Sequence, residues 1–238
     1  MTIGLLGATG RMGEAIKALT PTKDIAQIAD GLPPGIDVLI DFSGPEATAA
    51  AAKLCAEAGV PLVTGVTGLS DDQQASVRSA STHIPVVQSG NMSLGVTLLK
   101  ELVRIASATL RDFDIEILES HHRHKKDSPS GTALLLGEVA ARARDTALSE
   151  AARFERHGRD NARKTDEIGF AVRRGGGIYG EHDVSFMSEG EVISLSHQAL
   201  SRQAFAQGAI TAAHWILDKA PGIYWIDDVL ELGEAHRS

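Results

Sequence analysis

The segment ESHHRHKKDSPSGTALLLGE, residues 119–138, places side chains that can transfer protons beside side chains that can bind an anion. Three histidines and three basic residues occupy consecutive positions, namely His121, His122, Arg123, His124, Lys125 and Lys126. Histidine has an unperturbed pKa near neutrality, so it can donate or accept a proton at working pH. Lysine and arginine bind carboxylates and phosphates. The segment therefore favours acid–base chemistry on a negatively charged substrate.

The sequence SPSGT, residues 128–132, predicts the N-terminus of a helix. With Ser128 as the N-cap residue, Pro129 takes the first helical position, where its missing N–H costs nothing. The N–H groups of Ser130, Gly131 and Thr132 are then unpaired, and Gly131 adds no side chain that blocks access to them. A helix start of this kind favours the binding of a phosphate or a carboxylate.

Two other interpretations of the histidine-rich segment stay open. A metal site would use His121, His122 and His124, but these lie too close together along a strand or loop to face one ion, and the lysines would repel a cation. We therefore expect no metal. A solvated basic turn needs no ligand at all, but it leaves the open start of the following helix unexplained.

The beginning of the chain carries a second pattern with a chemical meaning. TIGLLG predicts a buried strand, EAIKAL predicts a helix, and GATGRMG between them places Gly7, Gly10 and Gly13 three residues apart. Such glycines let the backbone approach a pyrophosphate, and the helix start supplies free N–H groups. The order is typical of a dinucleotide-binding loop. Ala8 stands where the usual fingerprint has its first glycine, so a packing turn is the alternative.

An acidic residue is expected about twenty positions further on, where it would accept hydrogen bonds from a ribose hydroxyl. Asp30 occupies that position, although a simple loop carboxylate before GLPPG is an alternative. A 2′-phosphate would face this carboxylate, and no Lys or Arg occurs between Ile25 and Asp41 to offset the repulsion. Arg11 is the one obvious cation within reach. We therefore expect NADH to be used at least as well as NADPH.

The residues around these positions predict the elements that must hold them. Strands are predicted at 36–43, 60–68 and 84–93, and helices at 45–59 and 69–81, the second capped by Ser70. Strands that alternate with helices predict a Rossmann-like, doubly wound parallel sheet, and ligands of such sheets bind beyond the carboxyl ends of the strands. Small or polar residues occupy those ends, in GATGRM, GVT and SGNM.

The second half of the chain has a different pattern of predicted helices and strands. Residues 93–110 predict a packing and connecting helix, with Leu94, Leu98, Leu102 and Ile105 at helical spacing. From residue 112 to 199 the pattern is rich in strands, with one main helix and a polar loop at 152–167, and AFAQGAITAAHWILDK predicts a final helix. We therefore expect a second, α+β domain built on a mixed sheet.

Composition bounds the remaining possibilities. The chain has 238 residues, a net charge of −8 and one cysteine, Cys55, so it suits one large domain or two small ones and forms no internal disulfide. The acidic balance argues against a general nucleic-acid binder. MTIGLLGATG lacks the features of a signal peptide, and no apolar run reaches the length of a membrane span. We therefore expect a cytoplasmic protein with no membrane partner.

These observations combine into one class of mechanism: a nicotinamide cofactor delivers hydride, a positioned acid supplies a proton, and a cationic pocket holds an anionic substrate. The same residues resemble the 4-hydroxy-tetrahydrodipicolinate reductase (dihydrodipicolinate reductase) family. ESHHRHKKDSPSGTA is similar to the signature of that family, and GATGRMG, IDFSGPEAT, VTGVTG and GFAVRRGGGIYGEH resemble further segments of it. The resemblance covers nearly the whole chain.

The resemblance implies roles for individual residues. His121 corresponds to the proton donor and acceptor of the family, Lys125 to its second catalytic proton donor, and His122, Gly131 and Thr132 to substrate-binding positions. The implied cofactor contacts are Gly7, Ala8, Thr9, Gly10, Arg11, Met12, Asp30, Gly65, Val66, Thr67, Ser89, Gly90, Asn91 and Met92.

It also implies an activity and an organisation. Members reduce 4-hydroxy-tetrahydrodipicolinate, a small cyclic dicarboxylate, with NADH or NADPH in lysine biosynthesis via diaminopimelate. Residues 1–92 and 202–238 would form the dinucleotide-binding domain, and residues 93–201 the substrate-binding domain through which a homotetramer assembles. Two rivals stay open, an aspartate-dehydrogenase-like oxidoreductase and a non-catalytic dinucleotide-sensing regulator. Neither explains the titratable cluster as well, because neither requires it next to SPSGT.

Overall fold

The structure is a computed structural model that describes residues 1–25 and 31–232. The chain divides into two compact units, one made of Met1–Leu94 together with Arg202–Ser238, and the other of Gly95–Ser201. Among the described residues, no helix has both the length and the apolar character that crossing a membrane requires.

The first unit is built on a parallel sheet. Its strands are β1 (Ile3–Leu6), β2 (Thr22–Ile25), β3 (Val38–Asp41), β4 (Leu62–Thr64), β5 (Pro85–Gln88) and β11 (Gly222–Tyr224). Its helices are α1 (Arg11–Lys17), α2 (Pro45–Ala58), α3 (Asp71–Ala80), α7 (Gln203–Trp215) and the short α8 (Ile226–Val229). The strand order β11-β5-β4-β3-β1-β2 and the parallel pairing of all neighbours confirm the predicted Rossmann-like sheet.

Local sequence chemistry explains where these elements begin and end. Pro45 occupies the first turn of α2, and Gly59 ends that helix with φ of 67°, a left-handed conformation that suits glycine. Ser70 caps α3 and forms a capping box with Gln73. The strands are buried because helices cover both faces: Leu5 belongs to the apolar cluster that includes α7, and Leu39 to the cluster that includes α2 and α3.

The second unit contains a mixed five-stranded sheet, as the sequence predicts. Its strands are β6 (Asp114–His121), β7 (Ala152–Arg153), β8 (Ile168–Arg174), β9 (Glu181–Met187) and β10 (Val192–Gln198), in the order β10-β9-β6-β8-β7. Strand β6 pairs parallel with β8 and antiparallel with β9. The helices are α4 (Leu94–Thr109), α5 (Gly131–Ala143) and α6 (Leu148–Ala151). Side chains of α4 and α5 pack with one face of the sheet to form the core.

Two expectations about helices are wrong in detail. The apolar stripe proposed as the packing face of α4 is largely exposed, since Leu98, Leu102 and Ile105 are 46%, 40% and 47% accessible, whereas Leu99 and Val103 are buried. A helix this apolar carries two stripes at helical spacing, and only packing against the sheet decides which one is covered.

The helix predicted at 204–219 is not the last element, because β11 and α8 follow it. Both are too short for a repeating pattern of apolar residues to be recognised in the sequence.

Candidate active site

The register of three strands brings four ionisable side chains onto one face of the second sheet. Glu119 and His121 are two residues apart on β6 and therefore point the same way. His182 on β9 is the cross-strand partner of Glu119, and Arg174 on β8 is the partner of His121. Strand alternation and pairing thus collect one carboxylate, one guanidinium and two imidazoles at the end of the sheet.

Glu119 is the centre of this group and is only 1% exposed. Its Oε1 accepts hydrogen bonds from the backbone N–H of Ser130 at 3.0 Å and from Arg174 Nη2 at 2.7 Å, and its Oε2 contacts Arg174 Nη1 at 2.8 Å and His121 Nδ1 at 2.7 Å. Burial opposes ionisation, but these donors together outweigh it and hold the pKa of Glu119 below its usual value. The side chain is therefore a carboxylate at neutral pH.

His121 is 8% exposed, and burial lowers its pKa below the usual value although Glu119 acts in the opposite direction. Its other ring nitrogen, Nε2, lies beside Gly180: a Cβ atom at that glycine would be 3.0 Å from Nε2. The imidazole is thus anchored through Nδ1, while the absence of a side chain at residue 180 leaves Nε2 uncovered on that side.

The start of α5 differs from the prediction. The N-cap residue is Ser130, not Ser128, and the first helical residue is Gly131. The Oγ of Ser130 accepts from the N–H of Ala133 at 3.2 Å, and the N–H of Ser130 is engaged by Glu119 instead of being unpaired. A Cβ at Gly131 would meet nothing within 4 Å. The helix start is therefore open at Gly131, as predicted, although the N-cap lies two residues later than expected.

Lys125 stands in the loop between β6 and α5. Its Nζ pairs with Asp127 Oδ2 at 2.8 Å, and its backbone N–H donates to the carbonyl of His122 at 3.1 Å. Arg174 Nη2 also donates to the carbonyl oxygen of Asp127 at 2.8 Å. The guanidinium that binds Glu119 therefore also fixes the loop that carries Lys125.

The other histidines are placed differently. The ring of His122 lies 6.2 Å from that of His124, and His122 Nδ1 is buried without a hydrogen-bond partner in the described part of the chain. His182 is 5% exposed, packs edge-on against His121 with ring centroids 5.2 Å apart, and its Nε2 is 3.1 Å from Ser130 Oγ. Burial, followed by the charge of His121, lowers the pKa of His182 to about 4.

Sequence reasoning missed three members of this site, namely Glu119, Arg174 and His182, and it assigned Ser130 a free N–H group instead of the N-cap position. The two-residue spacing of Glu119 and His121 on a predicted strand is a usable indication, because it places both on one face. Nothing in the sequence indicates the pairing with Arg174 and His182, which depends on which strands are neighbours. Within residues 1–25 and 31–232, no group of three or more His, Cys, Asp or Glu side chains is arranged to hold a metal ion.

The glycine loop of the first unit has the geometry of a cradle for an anion. Gly7 has φ of 83°, and a Cβ there would lie 2.6 Å from the carbonyl oxygen of Phe42. A Cβ at Gly13 would overlap the carbonyl oxygen of Gly7, so this glycine allows α1 to pack against the loop. Gly10 precedes α1 and no side chain caps the first turn of that helix. The residues present fit the pyrophosphate of a dinucleotide.

The carboxyl ends of β3, β4 and β5 lie at the same edge of that sheet, because these strands are parallel neighbours. Buried Asp41 accepts hydrogen bonds from Ser43, Thr48 and Thr64, and thereby holds the ends of β3 and β4 together. A Cβ at Gly90 would be 3.1 Å from Thr67 Cγ2, so the segments 65–67 and 89–92 approach each other closely.

The remaining residues implied as cofactor contacts differ in exposure. Thr9 is exposed, and the half-buried ones are Met12, Gly65, Ser89 and Asn91. The side chains of Ala8, Val66 and Met92 are buried, so any contact with a cofactor would go through their backbone. Arg11 is exposed as the first residue of α1. Asp30 lies outside the described residues.

Comparison with known proteins gives one consistent family. Models described as "Dihydrodipicolinate reductase, N-terminus" and "Dihydrodipicolinate reductase, C-terminus" match residues 19–92 and 95–230. Relatives named 4-hydroxy-tetrahydrodipicolinate reductase include one from Anaeromyxobacter dehalogenans (44% identical, covering 95% of this chain and 96% of that protein) and one from Caulobacter vibrioides (46% identical, covering 96% of each).

A solved structure shares the fold. Dipicolinate-bound dihydrodipicolinate reductase from Paenisporosarcina sp. TG-14 superimposes with a TM-score of 0.73 over 94% of this chain and 97% of its own, at 22% sequence identity.

Proposed function

Since this chain belongs to the dihydrodipicolinate reductase family, we propose that it catalyses the NAD(P)H-dependent reduction of 4-hydroxy-tetrahydrodipicolinate to tetrahydrodipicolinate in lysine biosynthesis via diaminopimelate. One observation of the site supports this most: the buried carboxylate of Glu119 holds His121 beside the loop of Lys125 and the open start of α5. That arrangement provides a proton carrier, a cation and an anion-binding helix end within one unit.

A bound nicotinamide would supply hydride, and the residues of the second unit manage the proton and the substrate charge. His121 exchanges the proton, and Lys125 combines proton donation with stabilisation of negative charge. His122, Gly131 and Thr132 bind the carboxylates of the substrate. The site is suited to a ring with two carboxylates, because Lys125 and the helix start offer two separate positive centres.

Residues 1–92 and 202–238 hold the cofactor in this proposal, and residues 93–201 hold the substrate. The cofactor lies on the glycine loop, from Gly7 to Met12, and on the strand-end segments 65–67 and 89–92. Asp30 binds the ribose, so NADH serves at least as well as NADPH, and Arg11 allows NADPH to be tolerated. The exposed position of Arg11 at the start of α1 supports this last point.

The assembly is a homotetramer formed through the sheet of the second unit. Support comes from the sheet face opposite the core, where Ser185 makes hydrogen bonds of 2.7 Å to Asp183 and 2.9 Å to Ser194. Further support comes from the exposure of Val192 and Ile193 on the edge strand β10. An exposed apolar edge strand presents unpaired backbone groups that can pair with another chain. Light scattering at micromolar concentration should give four times the mass of 25.1 kDa, and a monomer would contradict the assembly.

A coupled assay tests the activity. The purified protein is mixed with an upstream synthase that makes the unstable substrate, and absorbance of NADH or NADPH is followed with and without synthase. Synthase-dependent oxidation is expected with both cofactors. If neither cofactor is consumed, the activity is wrong, and a separate trial with aspartate and oxidised cofactor then decides between a dehydrogenase of that amino acid and a sensor that only binds.

A further inference from the structure

Glu119 contacts His121 through Nδ1 and contacts three other groups that can only donate hydrogen bonds. We propose that Glu119, held by Arg174, is a positioning residue that fixes His121 as the tautomer protonated on Nδ1, so that Nε2 is the nitrogen that exchanges the proton with the substrate. This inference rests on the proposed role of His121 in the reaction.

The tautomer follows from an inventory of donors and acceptors around Glu119. Its lowered pKa keeps it ionised, and an ionised carboxylate can only accept hydrogen bonds. Nδ1 lies 2.7 Å from Oε2, which is a hydrogen-bond distance, so the imidazole must be the donor. When His121 is neutral, its one ring hydrogen is therefore on Nδ1 and Nε2 carries a lone pair.

The surroundings of the second ring nitrogen agree with this role. A Cβ at Gly180 would lie only 3.0 Å from Nε2, so any larger residue would crowd this atom. Nδ1 is engaged by Glu119, and Gly180 leaves space beside Nε2. This arrangement suits a ring that is oriented through Nδ1 and reacts through Nε2.

Arg174 extends the positioning effect to the rest of the site. It binds both oxygens of Glu119 and also the carbonyl oxygen of Asp127, whose side chain pairs with Lys125. Oε1 of Glu119 additionally accepts the N–H of Ser130, the N-cap residue of α5. One carboxylate therefore sets the orientation of His121 and ties it to both anion-binding features.

The variant Glu119→Gln makes the proposal testable, because the amide has one acceptor and one donor end. Each oxygen of Glu119 faces two donors, but both donors at Oε1, Ser130 N–H and Arg174 Nη2, can only donate, whereas His121 at Oε2 can change to an acceptor. The amide oxygen is therefore expected at the position of Oε1, although the NH₂ group then also faces Arg174 Nη1. The amide NH₂ then faces His121 Nδ1 and donates to it. His121 should change to the tautomer protonated on Nε2. With the amide NH₂ donating to Nδ1, the ring cannot take a second proton there, so the imidazolium that gives up its Nε2 proton to the substrate and returns to the Nδ1–H tautomer is not formed.

The experiment records ¹⁵N-histidine NMR spectra of the full chain, with the His121 signals assigned by their loss in His121→Gln. Glu116→Gln is the matched control, since Glu116 is on the opposite face of β6 and pairs with Arg156 and Arg163. We expect Nδ1–H in the wild type and in Glu116→Gln, and Nε2–H in Glu119→Gln. We also expect kcat of Glu119→Gln to fall by about 10–100-fold, with the KM for the cofactor unchanged.

An Nε2–H tautomer in the wild type, or a kcat of Glu119→Gln equal to that of Glu116→Gln, would overturn the inference. The NMR result needs no substrate, so it separates failure of this inference from failure of the proposed activity. If Glu119→Gln does not fold, as judged by its thermal transition, Arg174→Lys replaces it. That variant should retain Nδ1–H and lose kcat by a smaller factor, and wild-type kcat would remove Arg174 from the proposal.

Discussion

Asp41 in the first unit and Glu119 in the second are both buried carboxylates at the ends of strands, but their partners differ in kind. Asp41 accepts hydrogen bonds from Ser43, Thr48 and Thr64, all of them neutral groups. Glu119 accepts from a guanidinium, an imidazole and a helix N-cap. The first carboxylate shapes backbone loops, and the second organises groups that titrate.

The difference extends to the two candidate binding regions as wholes. The glycine loop offers backbone N–H groups and space, and its side chains contribute little, as the buried Ala8 illustrates. The region around His121 offers side chains whose protonation is set by burial and by their neighbours. Substitutions should therefore act through shape in the first unit and through charge in the second, and the following experiments test that distinction.

The largest effect is expected from His121→Gln and Lys125→Ala. Loss of a positioned acid typically lowers a rate by about 10²–10⁴-fold, and we expect kcat to fall in that range for both variants. Binding of NADH, followed by its fluorescence, should persist. His157→Gln and Lys53→Ala, which alter exposed residues, are the controls and should turn over normally. Wild-type kcat in either site variant would remove that residue from the reaction.

The next effect concerns His182 and pH. Its pKa in the folded protein is about 4, below the usual value of 6.5, because burial disfavours the charged ring. The contribution of His182 to the free energy of unfolding is fully present above pH 6.5. It is lost as the pH falls towards 4, because His182 in the unfolded chain binds a proton at a higher pH than in the folded chain. The loss amounts to roughly 3 kcal/mol at most.

Chemical denaturation at pH 7 and pH 4.5 checks this expectation. The free energy of unfolding of the wild type should decrease more between these two values than that of His182→Asn. His157→Asn, which removes an exposed histidine, should behave as the wild type does. An equal decrease in the free energy of unfolding in the wild type and in His182→Asn would contradict the lowered pKa of His182.

A smaller effect on stability is expected from Gly13→Ala. The new Cβ would overlap the carbonyl oxygen of Gly7, and overpacking of this kind costs about 1–3 kcal/mol. Gly10→Ala is the matched control, because its Cβ would lie 3.3 Å from the same oxygen. Urea denaturation should rank Gly13→Ala below Gly10→Ala, and NADH affinity should follow the same order. The reverse order would contradict the close approach of α1 to the loop.

The smallest effect is the one on cofactor choice. The proposal that Asp30 binds the ribose predicts that kcat/KM with NADH is at least that with NADPH, and that Asp30→Ala moves the ratio towards NADPH. The change should be modest, because Arg11 already offers a cation to a 2′-phosphate. Steady-state rates with both cofactors decide the point, and a strong wild-type preference for NADPH would refute the assignment of Asp30.

Much of the fold was predictable because its causes are local. Pro45, Gly59 and the Ser70 capping box mark helix ends through backbone geometry that each residue brings with it. The stripe on α4 was not predictable, since Leu98 and Leu99 are equally apolar and only packing against the sheet distinguishes them. The shift of the N-cap from Ser128 to Ser130 also depends on tertiary structure, because the N–H of Ser130 donates a hydrogen bond to Glu119 on β6.

By itself the sequence determined the parallel sheet, the glycine loop and the presence of titratable residues before α5, because periodicity and glycine spacing act over a few neighbouring residues. Only the tertiary structure decided which groups meet. Glu119 is 55 residues from Arg174, and His182 is 52 residues from Ser130. The register of β6 with β8 and β9 joins them. The donors that this register brings to Glu119 keep the carboxylate ionised against its burial, and burial lowers the pKa of both imidazoles.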